Sequence, residues 1–546
     1  MFPPLLCLAF CLVCGIFATQ VRVVTDPSLT PEQWKSDVRY LYEQMAKNHK
    51  DLFHSTPKNT FDAAVAALEN QIPSLTAEEI EVEIAKLVAM VGDGHTVFEL
   101  AVPFGMHGTQ GRSSFPIELY LFSDGLFVRS ADPHYAAIVG GRVVRIGPYT
   151  ADDAIHKALP LVSRDNDMDA MSRVPRIFTV PELMKGLGFS SSTDEAPFTI
   201  DKNGHTSIVT IKAQPYEGKK VWVDAAPGAD RRPLWQSHPG DIYWFEYLPA
   251  AQTLYVQYNE VANKPDETIA AFFDRVFSVA DKSPVDRFVL DIRNNGGGNN
   301  FLNKPILLGI IRRAALDQKG KFFTIIGRRT FSAAMNLTNQ LERFTNVTFV
   351  GEPTGGKPNS YGDNVPIEAP NSKLKVFVST LWWQDQDPRD GRQWIAPQIA
   401  ADMSSLDYIR GSDPALKAIE EYTNSESIEE RLRRDASAHD WNKANLEVHE
   451  FLADRRNHYM NIERDLNRLG YELMSRRDLE AAIKIFQLNV EVYPRSSNVY
   501  DSLAEAYMNH GDTSLAVENY QKSLELNPNN TSAAEQIKKL QEQKSR

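Results

Sequence analysis

The sequence predicts a multidomain α/β protein in which a layered, mostly parallel sheet is preceded by helical and β-rich segments and followed by an α-solenoid. Three observations lead to this prediction. Buried-strand patterns alternate with helical patterns over residues 216–422, apolar residues recur at helical spacing over 29–100, and a repeat begins after residue 462. At 546 residues the chain is too long for one compact core, so several domains are expected.

The composition is that of an ordinary globular protein, with 42% hydrophobic and 24% charged residues. The formal net charge of −12 argues against nucleic acid as a partner, because phosphate binding requires a cationic surface. The sequence contains no metal-ligand motif, dinucleotide fingerprint or phosphate-binding loop. Neither a metal nor a cofactor is therefore predicted.

The first 18 residues are uncharged and strongly apolar, and the first charged residue is Arg22. This segment is short for a membrane span and is typical of a secretory signal. We assign residues 1–19 as a signal peptide and expect a secreted or periplasmic protein; the alternative is a retained membrane anchor. All three cysteines lie in this segment, so a processed chain would have neither disulfides nor a cysteine nucleophile.

Two segments precede the α/β part. Residues 20–112 are predicted as a helical cap, in which a helix over Ala77–Val91 is followed by a glycine-rich turn that presents His95. From residue 113 to 215 the pattern changes to short alternating strands, of which Ile117–Phe122 is the clearest. This second segment is predicted as a β module.

The α/β part covers residues 216–422. Its first elements are predicted as a strand, a helix and a strand at Leu254–Tyr258, Glu267–Val279 and Phe288–Ile292. A strand over Phe322–Gly327 then leads to a helix that begins near Ser332 and ends at Phe344. Parallel sheets place ligands at the carboxyl ends of their strands, which is where Ser332 and the glycine-rich turn after Ile292 fall.

The end of the chain contains an internal repeat. Residues 423–462 are charged and helical in pattern and are predicted as a helical linker. Beyond them, Leu466, Leu469, Gly470, Ala482, Phe486 and Pro494 recur 34 positions later as Tyr500, Leu503, Ala504, Ala516, Tyr520 and Pro528. This pattern resembles tetratricopeptide repeats, helix pairs that bury their apolar faces on a neighbour. We assign residues 463–546 to such repeats and expect them to bind a protein partner.

Three ordered motifs carry the chemistry. The first is Val-Gly-Asp-Gly-His-Thr at Val91–Thr96, and the second is Leu-Asp-Ile-Arg-Asn-Asn-Gly-Gly-Gly at Leu290–Gly298. The third combines two segments, Thr330, Ser332, Ala333 and Ala334 followed by Gly351, Glu352, Thr354, Gly356 and Lys357. Together these motifs resemble the C-terminal processing (tail-specific) serine protease family.

The resemblance implies a ClpP/crotonase-like protease core, with residues 113–215 as a PDZ-like module. It also implies a serine endopeptidase that cleaves extended or unfolded polypeptides without a cofactor. Ser332 would be the nucleophile, and Lys357 or His95 would be the general base. The alternative class is a catalytically inactive relative that acts as a binding or scaffold protein for peptides or apolar small molecules.

The same motifs assign the remaining site residues. Gly297, Gly298 and Ala333 are expected to supply N–H groups to an oxyanion. Thr354 is expected to support the loop that carries the lysine. The structural alternative for the glycines is a flexible turn after a buried strand.

Each proposed catalytic side chain also has a simpler structural interpretation. A serine at a strand-to-helix junction is often a helix N-cap, which applies to Ser332. Lys357 is alternatively a solvated loop lysine, and His95 a residue that fixes its turn. The family often has a glutamate where this chain has Met335 and an aspartate where it has Gln398, and both departures leave room for the inactive alternative. The retained Ser332, Lys357 and His95 together favour the enzyme.

Overall fold

The computed structural model describes residues 29–101, 112–215, 222–424 and 426–544, so the signal peptide predicted at 1–19 lies outside the described residues. No helix in these ranges is long and apolar enough to cross a membrane. The helices are α1 Pro31–Asn48, α2 Lys58–Gln71, α3 Ala77–Ala89, α4 Ala151–Ala158, α5 Asp167–Ile177, α6 Pro181–Gly186, α7 Ile269–Lys282, α8 Lys304–Ile311, α9 Ala333–Phe344, α10 Ser405–Arg410, α11 Pro414–Glu420, α12 Ile428–Ser437, α13 Trp441–Ala453, α14 Glu463–Ser475, α15 Leu479–Val492, α16 Ser497–His510, α17 Thr513–Leu526 and α18 Thr531–Lys544. The strands are β1 Val97–Phe98, β2 Ser113–Ser114, β3 Ile117–Phe122, β4 Gly125–Ala131, β5 Arg142–Ile146, β6 Tyr149–Thr150, β7 Glu195–Lys202, β8 His205–Lys212, β9 Gln214–Pro215, β10 Val223–Asp224, β11 Tyr243–Leu248, β12 Thr253–Tyr258, β13 Arg287–Asp291, β14 Phe322–Ile326, β15 Thr348–Gly351, β16 Asn359–Glu368, β17 Lys375–Gln384 and β18 Ile399–Ala400.

The chain divides into two compact units, Met1–Ala226 with Ser360–Trp383 and Pro227–Asn359 with Gln384–Arg546. The first unit contains a sheet in the order β10-β4-β5-β7-β8, with β3 paired to β4 and β6 paired to β5. Helices α1–α6 share one apolar core with this sheet. The first helix begins where Thr30 and Gln33 form a capping box.

The first unit also contains the β16–β17 hairpin, which the sequence pattern places in the α/β part at 216–422. Strand β17 pairs antiparallel with β1, and Val376 packs in the core of the first unit. The buried carboxylate of Asp37 on α1 accepts the backbone N–H groups of Asn371 and Ser372 at 3.0 and 2.6 Å. The sequence pattern cannot show this assignment, because the paired segments are far apart in the chain.

The second unit is built on a six-stranded sheet in the order β11-β12-β13-β14-β15-β18. Strand β11 is antiparallel to β12, and all other neighbours are parallel. Helices α7, α8 and α9 cover one face and α11 covers the other, so the central strands are fully buried apolar runs. The predicted mostly parallel layered core is confirmed.

Helices α12–α18 form an α-solenoid with its own apolar core. The pairs α14–α15 and α16–α17 correspond to the two predicted repeats, and α12–α13 has the same turn. In all three pairs a residue with positive φ precedes the aspartate at the N-cap of the second helix: His439–Asp440, Arg477–Asp478 and Gly511–Asp512. The segment predicted as a linker at 423–462 is therefore a third helical hairpin. The sequence does not show this hairpin as a repeat because Asp478 follows Asp440 by 38 positions, whereas Asp512 follows Asp478 by 34.

A pair of leucines tests whether α12 and α13 belong to the core of the tail. Leu432 on α12 is buried in that core, whereas Leu446 on α13 is 55% exposed. We predict that Leu432→Ala lowers the free energy of unfolding of the tail by about 2–5 kcal/mol, because it leaves a cavity. Leu446→Ala should change it by less than about 0.5 kcal/mol. Hydrogen exchange of the backbone amides of α12–α18 in increasing urea measures both changes in the free energy of unfolding. Equally small changes for the two substitutions would show that α12 is a solvated linker.

Candidate active site

Ser332 lies in the turn that joins β14 to α9. Its backbone has φ 53° and ψ −127°, a left-handed conformation that costs a residue other than glycine about 1–3 kcal/mol. Although Ser332 occupies the N-cap position of α9, its side chain makes no capping hydrogen bond. A strained serine at a strand-to-helix turn is typical of a nucleophile elbow and not of a simple cap.

Hydrogen bonds on both sides of Ser332 hold this turn in place. The buried hydroxyl of Thr330 donates to the carbonyl of Ile292 at 3.0 Å and accepts the N–H of Gly327 at 3.0 Å. The N–H of the residue just before Ser332 donates to the carbonyl of Asn295 at 3.1 Å. These bonds tie the turn to the end of β13, which is why its strained backbone persists.

The glycine-rich turn after β13 packs directly against the serine. At Gly297, whose φ is +104°, an added Cβ would lie 2.5 Å from Cβ of Ser332 and 2.8 Å from the nitrogen of Ala333, so only glycine fits. The N–H of Gly297 donates to Oδ1 of Asn295 at 2.9 Å. The amide of Gly297 is therefore already bonded in this structure, and its role as an oxyanion donor stays a prediction. Its contribution is the close approach of the two segments.

Two other amides beside Ser332 have no acceptor within the part of the chain that the structure describes, those of Gly298 and Ala333. Gly298 is held by a parallel bridge to Val261. Ala333 is the first residue of α9, where N–H groups have no intrahelical acceptor, and its carbonyl accepts Nδ2 of Asn303 at 2.8 Å. The two amides can therefore bind an oxygen that becomes negatively charged.

Lys357 lies in a loop that is bonded to the serine turn. The N–H groups of the two glycines before it donate to the carbonyl of Thr330 at 3.1 and 3.3 Å. The carbonyl of the residue after it accepts Nδ2 of Asn339, on α9, at 2.8 Å. The half-buried lysine is thus bracketed by hydrogen bonds to the two elements that flank Ser332.

Thr354 and two residues that depart from the family pattern shape the same region. The buried hydroxyl of Thr354 donates to the carbonyl of Gly356 at 2.9 Å and accepts the N–H of Ile395 at 3.0 Å. An added Cβ at Gly356 would lie 3.0 Å from Cγ of Met335, so this methionine supports the lysine loop by packing. Oε1 of Gln398 accepts a backbone N–H of β15 at 2.6 Å and completes the edge of the sheet.

His95 belongs to the first unit, in a turn organised by the carboxylate of Asp93. Oδ1 of Asp93 accepts the N–H groups of His95 and Thr96 at 2.8 and 2.6 Å, and Oδ2 lies 2.9 Å from Nε2 of His49. Burial opposes ionisation of Asp93, but the hydrogen bond and charge of His49 hold its pKa well below the usual range. Burial lowers the pKa of His95 to about 4, so its imidazole is neutral at pH 7.

Two asparagines to which the sequence motifs assign no role position these groups. Asn295 donates from Nδ2 to the carbonyl of Tyr258 at 3.0 Å while its Oδ1 holds Gly297. Asn303 holds Ala333 and accepts the hydroxyl of Tyr258 at 3.2 Å. The signal for both was the run of asparagines and glycines after a buried strand, since asparagine side chains readily bond nearby backbone.

The second unit therefore brings together Ser332, Gly298, Ala333, Thr354 and the loop of Lys357. A hydroxyl beside two unbonded amides is suited to attack on a carbonyl carbon. Among the described residues, no group of three histidine, cysteine, aspartate or glutamate side chains could hold a metal ion.

Comparison with solved structures defines the fold. The structure is similar to that of mature CPAF complexed with lactacystin, with a TM-score of 0.51 and 11% identity over 71% of this chain and 97% of that chain. Weaker similarity links it to the photosystem II D1 C-terminal processing protease, with a TM-score of 0.33 and 16% identity over 71% of this chain and 99% of that chain. The fold of this chain is therefore similar to that of mature CPAF.

The tail matches a family model. Residues 497–530 match the tetratricopeptide repeat, and the match spans α16, α17 and the turn between them. The second predicted repeat is thereby confirmed. Comparison of the sequence with curated proteins gives no significant match.

Two substitutions at one position test the strain in the serine turn. Ser332→Gly and Ser332→Ala both remove the hydroxyl, but only glycine adopts φ 53° without penalty. We predict that the free energy of unfolding of the glycine variant exceeds that of the alanine variant by about 1 kcal/mol, after the entropy of unfolded glycine is subtracted from the relieved strain. Urea unfolding of both proteins measures the difference. A more stable alanine variant would contradict the strained geometry.

Proposed function

We propose that this protein is a serine endopeptidase of the C-terminal processing type that cleaves extended or unfolded polypeptides. The observation that carries the proposal is the strained, uncapped Ser332 beside the amides of Gly298 and Ala333. A helix cap requires no strain, whereas strained residues are retained at sites where the surrounding structure holds a functional geometry. The fold shared with mature CPAF supports the same class of protein.

The reaction proceeds through an acyl-enzyme. Oγ of Ser332 attacks the peptide carbonyl carbon while a general base accepts the hydroxyl proton. The carbonyl oxygen becomes an oxyanion and accepts hydrogen bonds from the N–H groups of Gly298 and Ala333. The proton passes to the leaving amine as the peptide bond breaks. Water then attacks the ester carbonyl carbon while the same base accepts its proton. The ester bond breaks, the proton passes from the base to Oγ of Ser332, and the carboxylic acid product leaves.

Lys357 is the base that we favour. Its loop is bonded to the carbonyl of Thr330 and to Asn339 of α9, which places it in the same assembly as Ser332. His95 is the alternative base, and its imidazole is neutral at pH 7. A pKa of about 4 nevertheless makes this imidazole a weak proton acceptor near neutrality, where a base works best with a pKa close to the ambient pH.

The location of the enzyme and the role of its tail are also part of the proposal. The apolar segment at residues 1–19 supports secretion or export to a periplasm, with retention on a membrane as the alternative. The tetratricopeptide tail supports binding of a protein partner or of the substrate, because stacked helix pairs present an extended concave surface.

Proteolysis of an unfolded protein tests the proposal. We predict that the purified chain from residue 20 onward cleaves a reduced, unfolded substrate and that Ser332→Ala lowers the rate at least about 1000-fold, because no acyl-enzyme can form. Lys357→Ala should be equally inactive, whereas His95→Ala should keep measurable activity. Mass spectrometry of the products measures the rates.

Three results of the same assay would change the proposed nucleophile, the proposed base or the class of protein. Equal cleavage by the parent and Ser332→Ala would remove the serine mechanism. Inactive His95→Ala beside active Lys357→Ala would move the base to His95. A parent that binds the unfolded chain but never cuts it would be the inactive binding protein.

The pH dependence of the reaction separates the two bases independently. If His95 accepts the proton, kcat/KM should stay constant as the pH falls to about 4 and decrease below it, because the imidazole is protonated only under its lowered pKa. We predict instead that the acid limb of the profile is the same in the parent and in His95→Ala, since another group is the base. A profile of kcat/KM between pH 3.5 and 9 for both proteins measures this. A limb near pH 4 that disappears in His95→Ala would contradict Lys357 as the base.

A further inference from the structure

Phe301 is the most exposed large hydrophobic side chain among the described residues, with 84% of its surface accessible. It lies in the short 3-10 turn Asn300–Leu302, which follows the glycine-rich turn of the candidate active site. Single exposed apolar residues are common on protein surfaces. The position and the fixed backbone of this phenylalanine set it apart.

The backbone around Phe301 is held by hydrogen bonds. Its N–H donates to Oδ1 of Asn299 at 3.1 Å, and the N–H of Leu302 donates to the carbonyl of Asn299 at 3.0 Å. Leu302 packs against the core of the second unit. The ring of Phe301 is therefore presented to solvent by an ordered turn, since its own neighbour is anchored in the core.

The same turn is bonded to the start of the serine helix. Nδ2 of Asn303 lies 3.2 Å from Oδ1 of Asn300 and donates to the carbonyl of Ala333 at 2.8 Å. Phe301 is next to Asn300 in the chain and three residues after Gly298. The two residues that supply the proposed oxyanion amides are thus both joined to the Phe301 turn. Gly298 is joined to it through the chain, and Ala333 through the hydrogen bond from Asn303 to its carbonyl.

We infer that Phe301 forms an apolar subsite that receives a hydrophobic side chain of the substrate beside the scissile bond. The inference rests on the proposed function and adds the class of substrate: extended polypeptides with an aromatic or branched aliphatic residue next to the cleaved bond. Contact with such a side chain removes the phenyl ring from water, which stabilises the bound substrate in proportion to the apolar area covered. A polar side chain gains nothing comparable there.

Two matched variants and two peptides test the subsite. Phe344 is 51% exposed at the far end of α9 and serves as the control position. The peptides share one cleavable sequence, identified from the parent enzyme, and differ in having leucine or asparagine beside the scissile bond. We predict that Phe301→Ala reduces the leucine-over-asparagine ratio of kcat/KM about tenfold, within the range that one apolar contact supplies. Phe344→Ala should leave the ratio unchanged.

A binding measurement keeps the result independent of turnover. Fluorescence anisotropy with the labelled leucine peptide compares Ser332→Ala with the double variant Ser332→Ala, Phe301→Ala, and we expect about tenfold weaker binding by the double variant. An unchanged peptide preference together with unchanged binding would overturn the subsite while Ser332-dependent cleavage still stands. Failure of the proposed function is a different result, the absence of cleavage by the parent.

A second copy of the chain is the other occupant that an exposed ring could bind. Sedimentation of the parent and of Phe301→Ala distinguishes the two. A dimer that dissociates in Phe301→Ala, with peptide preference intact, would assign Phe301 to an interface between copies and overturn the subsite. A sedimentation coefficient that is the same for both proteins, with altered peptide preference, supports it.

Discussion

The buried side chain and carbonyl of Thr330 are the constraint on which the candidate site depends. The hydroxyl bonds the end of β13 and the residue that follows β14, and the carbonyl accepts two N–H groups from the loop of Lys357. One residue therefore links the strand that carries the glycine-rich turn, the turn that carries Ser332 and the loop that carries the lysine. The strained backbone of Ser332 persists because this network leaves it no relaxed alternative.

The structure gives a physical role to each of the two departures from the family pattern, Met335 and Gln398. Met335 fills the space beneath Gly356 and so supports the lysine loop by apolar contact, where a glutamate would require a buried partner. Gln398 bonds a backbone N–H at the edge of the sheet. Both residues act on structure adjacent to the site, and neither removes the hydroxyl of Ser332 or the amides of Gly298 and Ala333. They are compatible with a competent active site.

Apolar periodicity in the sequence predicts the elements whose burial follows from residues close together in the chain. The buried strand β14 and helix α9 lie within one or two residues of their predicted bounds, because apolar periodicity records which face is buried. The β16–β17 hairpin was misassigned because its partners β1 and Asp37 lie in a distant part of the chain. The third helical hairpin was missed because its spacing departs from the repeat period. The hydrogen bond from the amide of Gly297 depends on the rotamer of Asn295, which no motif encodes.

The role proposed for Ser332 is that of a nucleophile held ready by its strained turn. Its most direct test is intact-protein mass spectrometry after incubation with a fluorophosphonate, which reacts with activated serine hydroxyls. We predict one adduct per chain, located on Ser332 by peptide mapping and absent from Ser332→Ala. An adduct formed equally by the parent and Ser332→Ala, or no adduct in a protein that cleaves its substrate, would contradict it.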